Sequence, residues 1–326
     1  MNSFAPKPDV PATVSVHALS AGALTLPERF FVHPADPEAR KTVPSLSFLV
    51  QHHDQLSGKI TRIVFDLGIR RTISAYSPEI QAHAHTRQPL TTSPDVVSSL
   101  EEGGLTASDI DYVLLSHVHW DHMGMPSDFP TSKFVLGAGA LDLLSGRNVL
   151  KNGSHSYFES GILPLSRTLE LSDPLGSSPP TTPGCELPDM FSGPWKALHA
   201  FSATMDIFSD KSCYVVSAPG HLPGHINLLC RISSQPLKYV LLAGDSCHDV
   251  RILTGERGIA TWTDIKLPGI TCCIHANVNE AGKTIENLRT VQRDGIDGGD
   301  VEIVFAHDGE WEARSLKEGR FWPGNL

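Results

Sequence analysis

The chain has 326 residues, 40% of them apolar and 19% charged, with a net charge of -10 when the histidines are neutral. This is the balance of a globular protein with a sizeable core, and the negative charge argues against nucleic acid or an anionic membrane as partner. No apolar run is long enough to span a bilayer, and Met1–Pro8 lacks the basic-then-apolar order of a secretory signal.

Cys185, Cys213, Cys230, Cys247, Cys272 and Cys273 show no C-x-x-C spacing, so reduced thiols in a cytoplasmic protein are expected. Residues 1–12 are Pro-rich and predict a loose arm, with residues 13–326 forming one domain. Short β-type runs then follow one another. The clearest are Ser45–His52, Arg62–Asp66, Asp111–Ser116, Lys133–Leu136, Trp195–Phe201, Cys213–Ala218, Ile226–Ile232, Tyr239–Ala243 and Val301–Ala306. Helices are predicted at Asp95–Glu102, between Ser-Pro and Gly-Gly signals, and at Gly137–Leu144 and Glu280–Gln292 from their apolar spacing. Strands come in runs within each half, which predicts an α/β protein with two sheets face to face and helices outside, a four-layer αβ/βα sandwich. Leu171–Pro194 is rich in proline and reads as a long surface loop.

The most informative stretch is Ser116-His117-Val118-His119-Trp120-Asp121-His122, directly after the apolar run Tyr112–Leu115. In extended chain, residues two apart point to the same side, so His117 and His119 can share one metal. A following turn into helix would carry Asp121 and His122 to the other side of the same cavity, where they can hold a second. Imidazole and carboxylate donors suit zinc best, with iron, manganese and cobalt less favoured.

Other predicted strands end in polar motifs. Cys213–Ala218 runs into Pro219-Gly220-His221-Leu222-Pro223-Gly224-His225, Tyr239–Ala243 into Gly244-Asp245-Ser246-Cys247-His248-Asp249, and Val301–Ala306 into His307-Asp308-Gly309. Ile63–Phe65 ends in Asp66-Leu67-Gly68. In this order the motifs resemble those of the metallo-β-lactamase fold superfamily, over roughly residues 45–310.

The resemblance implies His117, His119 and His225 as ligands of a first metal and Asp121, His122 and His307 as ligands of a second, with Asp245 bridging. His221 would then be a turn or supporting residue. Asp66 matches an acid that supports such sites from behind. Trp120 is open between packing and substrate stacking. His52, His53, His83, His85, His155, His199 and His275 read as surface or core residues, and Cys247 as a packed thiol.

The implied activity is hydrolysis of a small cyclic ester or cyclic amide by a hydroxide bridging two divalent cations, most favourably Zn²⁺, with Asp121 taking up and returning a proton. The motifs resemble the lactonase-like branch most closely. Bacterial members that open acyl-homoserine lactones carry a Tyr three residues after the bridging Asp. Here that position is His248, whose N–H is expected to stabilise developing negative charge. Five-membered lactams or cyclic carbamates of the benzoxazolinone type, opened in detoxification, are the alternative substrates. Thioester hydrolysis of the glyoxalase II type is a further one.

Overall fold

A computed structural model describes residues 11–150, 157–176, 186 and 188–326. Most of the predicted arm and the central part of the predicted 171–194 loop lie outside these residues, as does His155. Twelve strands form two six-stranded sheets. The first contains β1 (Val14–Leu19), β2 (Ser47–His53), β3 (Ile60–Phe65), β4 (Tyr112–Leu114), β5 (Lys133–Leu136) and β6 (Thr168–Glu170). The second contains β7 (Lys196–Leu198), β8 (Phe201–Asp206), β9 (Cys213–Ser217), β10 (Ile226–Ser234), β11 (Leu237–Leu242) and β12 (Asp300–Val304). In both, neighbours in the sheet follow chain order. Pairing is antiparallel from β1 to β3 and parallel from β3 to β6. It is antiparallel from β7 to β11 and parallel between β11 and β12.

The alternation of side chains along each strand builds the layers. Ile63 and Phe65 of β3 meet Cys213, Val215, Val240 and Leu242 of the other sheet in the central core. Val64, between them, faces outward with Val113 and Phe134 toward α2 (Val96–Glu102) and α4 (Ala140–Leu144). Tyr239 and Leu241 of β11 face outward too, against α5 (Val250–Leu253) and α6 (Val278–Asp294). Helix α6 buries Ala281, Thr284, Ile285, Leu288 and Val291, a stripe at helical spacing, and Asn277 caps its first turn. The arrangement is the expected four-layer αβ/βα sandwich.

Three local readings change. Trp195–Phe201 is not one strand: His199 adopts a positive φ of 51°, and the chain turns back as the β7–β8 hairpin. The helix placed at Gly137–Leu144 begins at Ala140, because Gly139 sits at φ 94°. A hairpin of Ala23–Pro27 with Arg40–Pro44 was not anticipated, nor were helices α1 (Pro78–His85) and α7 (Gly309–Lys317). The edge of β1 is covered where Ala18 exchanges backbone hydrogen bonds with Arg320 and Trp322, which removes an open strand edge. Among the described residues no helix is long and apolar enough to cross a membrane.

The turn between β9 and β10 is seated on the start of α6. Gly220 O accepts from Asn277 N, His221 O accepts from Ala276 N, and Thr284 Oγ1 donates to Pro219 O. Gly220 lies at φ 127°, and a Cβ there would stand 2.1 Å from Ala281 N. A side chain is therefore excluded by both conformation and space. Gly220→Ala is expected to destabilise the protein by about 1–3 kcal/mol, the usual cost of forcing atoms into a packed site. A urea-unfolding midpoint equal to that of the parent would show that the turn re-seats without cost.

Candidate metal centre

The polar motifs converge where β3, β4, β11 and β12 end. Leaving β4, the chain runs through His117 and His119 in extended form and then enters the short helix α3 (Trp120–Met123). The turn brings the His122 ring to 4.1 Å from that of His117, while the carboxylate of Asp121 stands beside His307. All four are buried.

Asp66, 1% exposed at the end of β3, organises the ring orientations. Its Oδ1 accepts from Ser116 N (2.6 Å), and its Oδ2 accepts from Ser116 Oγ (2.7 Å) and His122 Nδ1 (2.8 Å). The Ser116 hydroxyl proton is committed to Asp66, so Ser116 Oγ accepts from His117 Nδ1 at 2.9 Å. His307 Nδ1 donates to Pro44 O at 2.7 Å, since a carbonyl can only accept. These bonds assign the proton to Nδ1 in His117, His122 and His307, and leave the Nε2 lone pair of each facing inward.

Two groups of donors result. His117 Nε2 and His221 Nε2 each lie 3.0 Å from His119 Nδ1, and Asp245 Oδ2 stands 3.7 Å from His117 Nε2 and 3.5 Å from His221 Nε2. Tetrahedral zinc with bonds of about 2.0–2.1 Å sets its ligands roughly 3.3 Å apart, so these atoms have the spacing of one cation's ligands. On the other side, Asp245 Oδ1 is 3.3 Å from His122 Nε2 and 3.4 Å from His307 Nε2, which is 3.6 Å from Asp121 Oδ2. Asp245 thus offers one oxygen to each group. Inward lone pairs set against carboxylate oxygens repel each other unless a cation or proton lies between, so the donor set fits a pair of divalent cations.

The electrostatics agree. Burial lowers the pKa of His117 well below its ordinary value, reinforced by His122. Burial and the neighbouring imidazoles lower that of His221 likewise. At His122 burial acts in the same sense, but Asp245 and Asp66 outweigh it and raise the pKa well above the ordinary value. Burial also opposes ionisation of Asp245, yet His307, His122 and His248 hold its pKa well down. The buried carboxylates draw positive charge into the cluster.

His225, expected as a ligand of the first metal, has its ring turned toward the backbone of Asp245. Its Nε2 accepts a 3.1 Å hydrogen bond from Asp245 N, so that lone pair is directed at the backbone of the bridging residue and away from the cluster. Burial lowers its pKa to about 3, which keeps the ring neutral and able to accept. His221 takes the position in the cluster instead. Gly244, at φ 47°, lets this turn pass: a Cβ would lie 2.8 Å from Ser116 Cβ and 3.1 Å from His225 Nε2.

His248 lines the cavity beside the cluster, its Nε2 3.0 Å from Asp245 Oδ2 and its ring 5.0 Å from Phe31. Asp249 is occupied in capping α5 and pairing with Arg251. Cys247 is a packed thiol, its Sγ donating to Asp249 O, and burial pushes its pKa up to about 12. Trp120 both packs, against Tyr76, and lines the cavity. The structure adds residues with no motif around them. His275 stands 5.1 Å from the His221 ring and 5.2 Å from the His248 ring, while His83 and Arg87 come from α1 and the turn after it.

Asp66→Asn tests the supporting role. Asn tolerates the positive φ of 63° held by Asp66, so the backbone is kept. Its amide group, however, turns one acceptor into a donor facing Ser116 or His122. Metal affinity measured by chelator competition is expected to fall about 10–100-fold with an unchanged circular dichroism spectrum. Unaltered affinity would remove Asp66 from the assignment of ring protons.

The family described as the metallo-beta-lactamase superfamily matches residues 61–125, from β3 through the histidine motif. A gamma-lactamase of Gibberella moniliformis is 30% identical over 188 residues, covering 57% of this chain and 70% of that protein. A cytochrome P450 monooxygenase of Penicillium brevicompactum is 26% identical over 336 residues, covering 92% of this chain; the chain spans 34% of that protein's length. The crystal structure of a quorum-quenching N-acyl homoserine lactone lactonase superposes with a TM-score of 0.62 at 17% identity, over 97% of this chain and 100% of the other. With the fold, the ordered motifs and these similarities together, the chain belongs to the metallo-beta-lactamase superfamily.

Proposed function

We propose that the protein is a metal-dependent hydrolase that opens a small cyclic ester or cyclic amide by attack of water. The observation that carries this reading is the convergence of seven buried donor residues in one cluster, with the ring protons of His117, His122 and His307 assigned so that their lone pairs face inward. His117, His119 and His221 would hold one divalent cation, Asp121, His122 and His307 a second, and Asp245 both. Zinc suits this nitrogen-rich set. Such a pair of cations supplies a water acidic enough to ionise near neutrality and a Lewis acid for a carbonyl.

The chain's own groups do the rest. Asp121 lies on the cavity wall, where its carboxylate is placed to take a proton from the attacking water and return it to the leaving ring oxygen or nitrogen. His248 flanks the same space as a hydrogen-bond donor for charge gathering on the substrate oxygen. Leu24, Leu26, Phe31 and Ile274 enclose it with apolar surface, which keeps bulk water out and strengthens those interactions. Similarity to a gamma-lactamase supports a five-membered ring. The cytoplasm is the proposed compartment, and the cysteines among the described residues are free thiols.

Two experiments test the proposal. In H₂¹⁸O, a single turnover on matched five- and six-membered lactones and lactams is expected to place one labelled oxygen in the new carboxylate. A trapped adduct on Ser246 or Cys247 would refute direct attack by water, and no opening of any ring would refute the substrate class. Elemental analysis is expected to give two metals per chain. His221→Ala should lose metal outright, whereas His225→Ala should weaken binding about 10–100-fold, as for residues that orient ligands. The reverse order would restore His225 as the ligand.

A further inference from the structure

The cavity beside the donor cluster offers only about 20 Å³, room for about one water molecule. Sites that take small molecules commonly span about 300–1,000 Å³. A ring substrate therefore enters only if part of the wall moves. We propose that residues 157–159 form a strap, latched by Glu159, whose release opens the donor cluster to the substrate; this rests on the ring-opening reading above.

The strap lies against three residues of the cavity wall, His83, His119 and Trp120. The Phe158 ring stacks on that of His119, with centroids 6.0 Å apart and planes within 4° of parallel. The Tyr157 ring stands 5.7 Å from that of His83 and is itself exposed, so the strap separates this wall from solvent. A second cavity, of about 10 Å³, is bordered by Tyr157 and Glu159 of the strap and by Trp120. Trp120 borders both spaces and is the partition between them. With the strap lifted, the indole loses its backing on one side and gains room to turn, and the two spaces join.

Side chains hold the strap in place. No backbone hydrogen bond joins residues 157–163 to a described residue outside them. Glu159 makes the attachment: its Oε2 accepts from Arg70 Nη2, and its Oε1 accepts from Arg70 Nη1 at 3.3 Å and from Ser77 N at 2.7 Å. Arg70 is fixed to the body of the protein, donating through Nε to Gly124 O and through Nη1 to Ala75 O, with its Cζ 4.3 Å from the centre of the Tyr76 ring. Gly124 directly follows α3, which carries Asp121 and His122. The Glu159 side chain is 18% exposed, so water is at hand to replace its partners. The hairpin wall is held differently. Five residue pairs join its strands, and Ala23 and Thr25 bond to the backbone of Thr91 and Arg87. Of these two elements, the strap is the one that a single carboxylate can release, and its return would exclude water during the reaction.

The test follows metal exchange, which uses the same opening. Loss of Co²⁺ from the cobalt-loaded protein to excess EDTA, and uptake of Co²⁺ by the metal-free protein, are timed by visible absorption. A strap sets the barrier and not the end states, so both rates change by one factor while the equilibrium affinity stays constant. Glu159→Gln is expected to speed both at least about tenfold, the usual worth of one hydrogen bond to a charged group. Phe158→Ala, which keeps the ion pair with Arg70, is expected to act in the same direction and decides the matter if Glu159→Gln does not fold. Unchanged rates would overturn the strap. So would faster loss with unchanged uptake and a matching fall in affinity, which would mean that these residues only steady the His119 ring. Turnover of γ-butyrolactone and phthalide checks the underlying reading separately. If exchange responds as expected but neither lactone opens, the strap stands and the ring-opening reading falls. If both open while exchange is the same in parent and variants, the reverse holds.

Discussion

The site depends first on one buried carboxylate. Asp66 takes three donors, and each commitment propagates. Holding the Ser116 hydroxyl proton obliges Ser116 to accept from His117; holding His122 Nδ1–H turns the other nitrogen of that ring inward. Two imidazoles that would otherwise be free to exchange tautomers are thereby set as electron-pair donors. Asp66 lies at the tip of a central strand and at a positive φ, a backbone state that its neighbour Gly68 shares. The strained turn aims the carboxylate back at the next strand, where its partners are.

The second group of supports comes from outside the sheets. Pro44, at the end of the hairpin, orients His307 through its carbonyl, and Ser45 Oγ donates to Asp121 O. The same hairpin contributes Leu24 and Leu26 to the cavity and fixes the backbone at Arg87. One surface element thus sets both a donor ring and the wall that a ligand meets. His225 acts in a related way on the opposite side, by holding the amide of the residue that serves both donor groups.

How much of this was legible in the sequence follows from distance along the chain. His117, His119, Asp121 and His122 were readable because strand and helix geometry alone decide which way neighbours point. The two-sheet architecture was readable from runs of alternating residues. His221 and His225 were not separable in this way: both follow a Pro-Gly or Leu-Pro-Gly turn, and the choice is made by the seating of Gly220 on α6 and by the Asp245 amide. Neither contact leaves a local trace. His83, Arg87 and His275 lie in segments with no motif, and tertiary packing alone brings the first two to the cavity and His275 beside His221 and His248. The strand read across Trp195–Phe201 failed for a backbone reason, since nothing in its residue types announces the left-handed turn at His199.

The sequential order of strands in each sheet has a consequence for assembly. Each half is knit from contacts between neighbours in the chain, so either can form early, before long loops have to close. The donors, however, are divided: His117, His119, Asp121 and His122 belong to the first half, and His221, Asp245 and His307 to the second. Neither half alone offers a complete set to an ion. On the proposed ligand set, tight capture of an ion would wait until the two sheets have docked, and its binding energy would then add to the cohesion between the halves. Metal occupancy in such a chain is a record of finished folding.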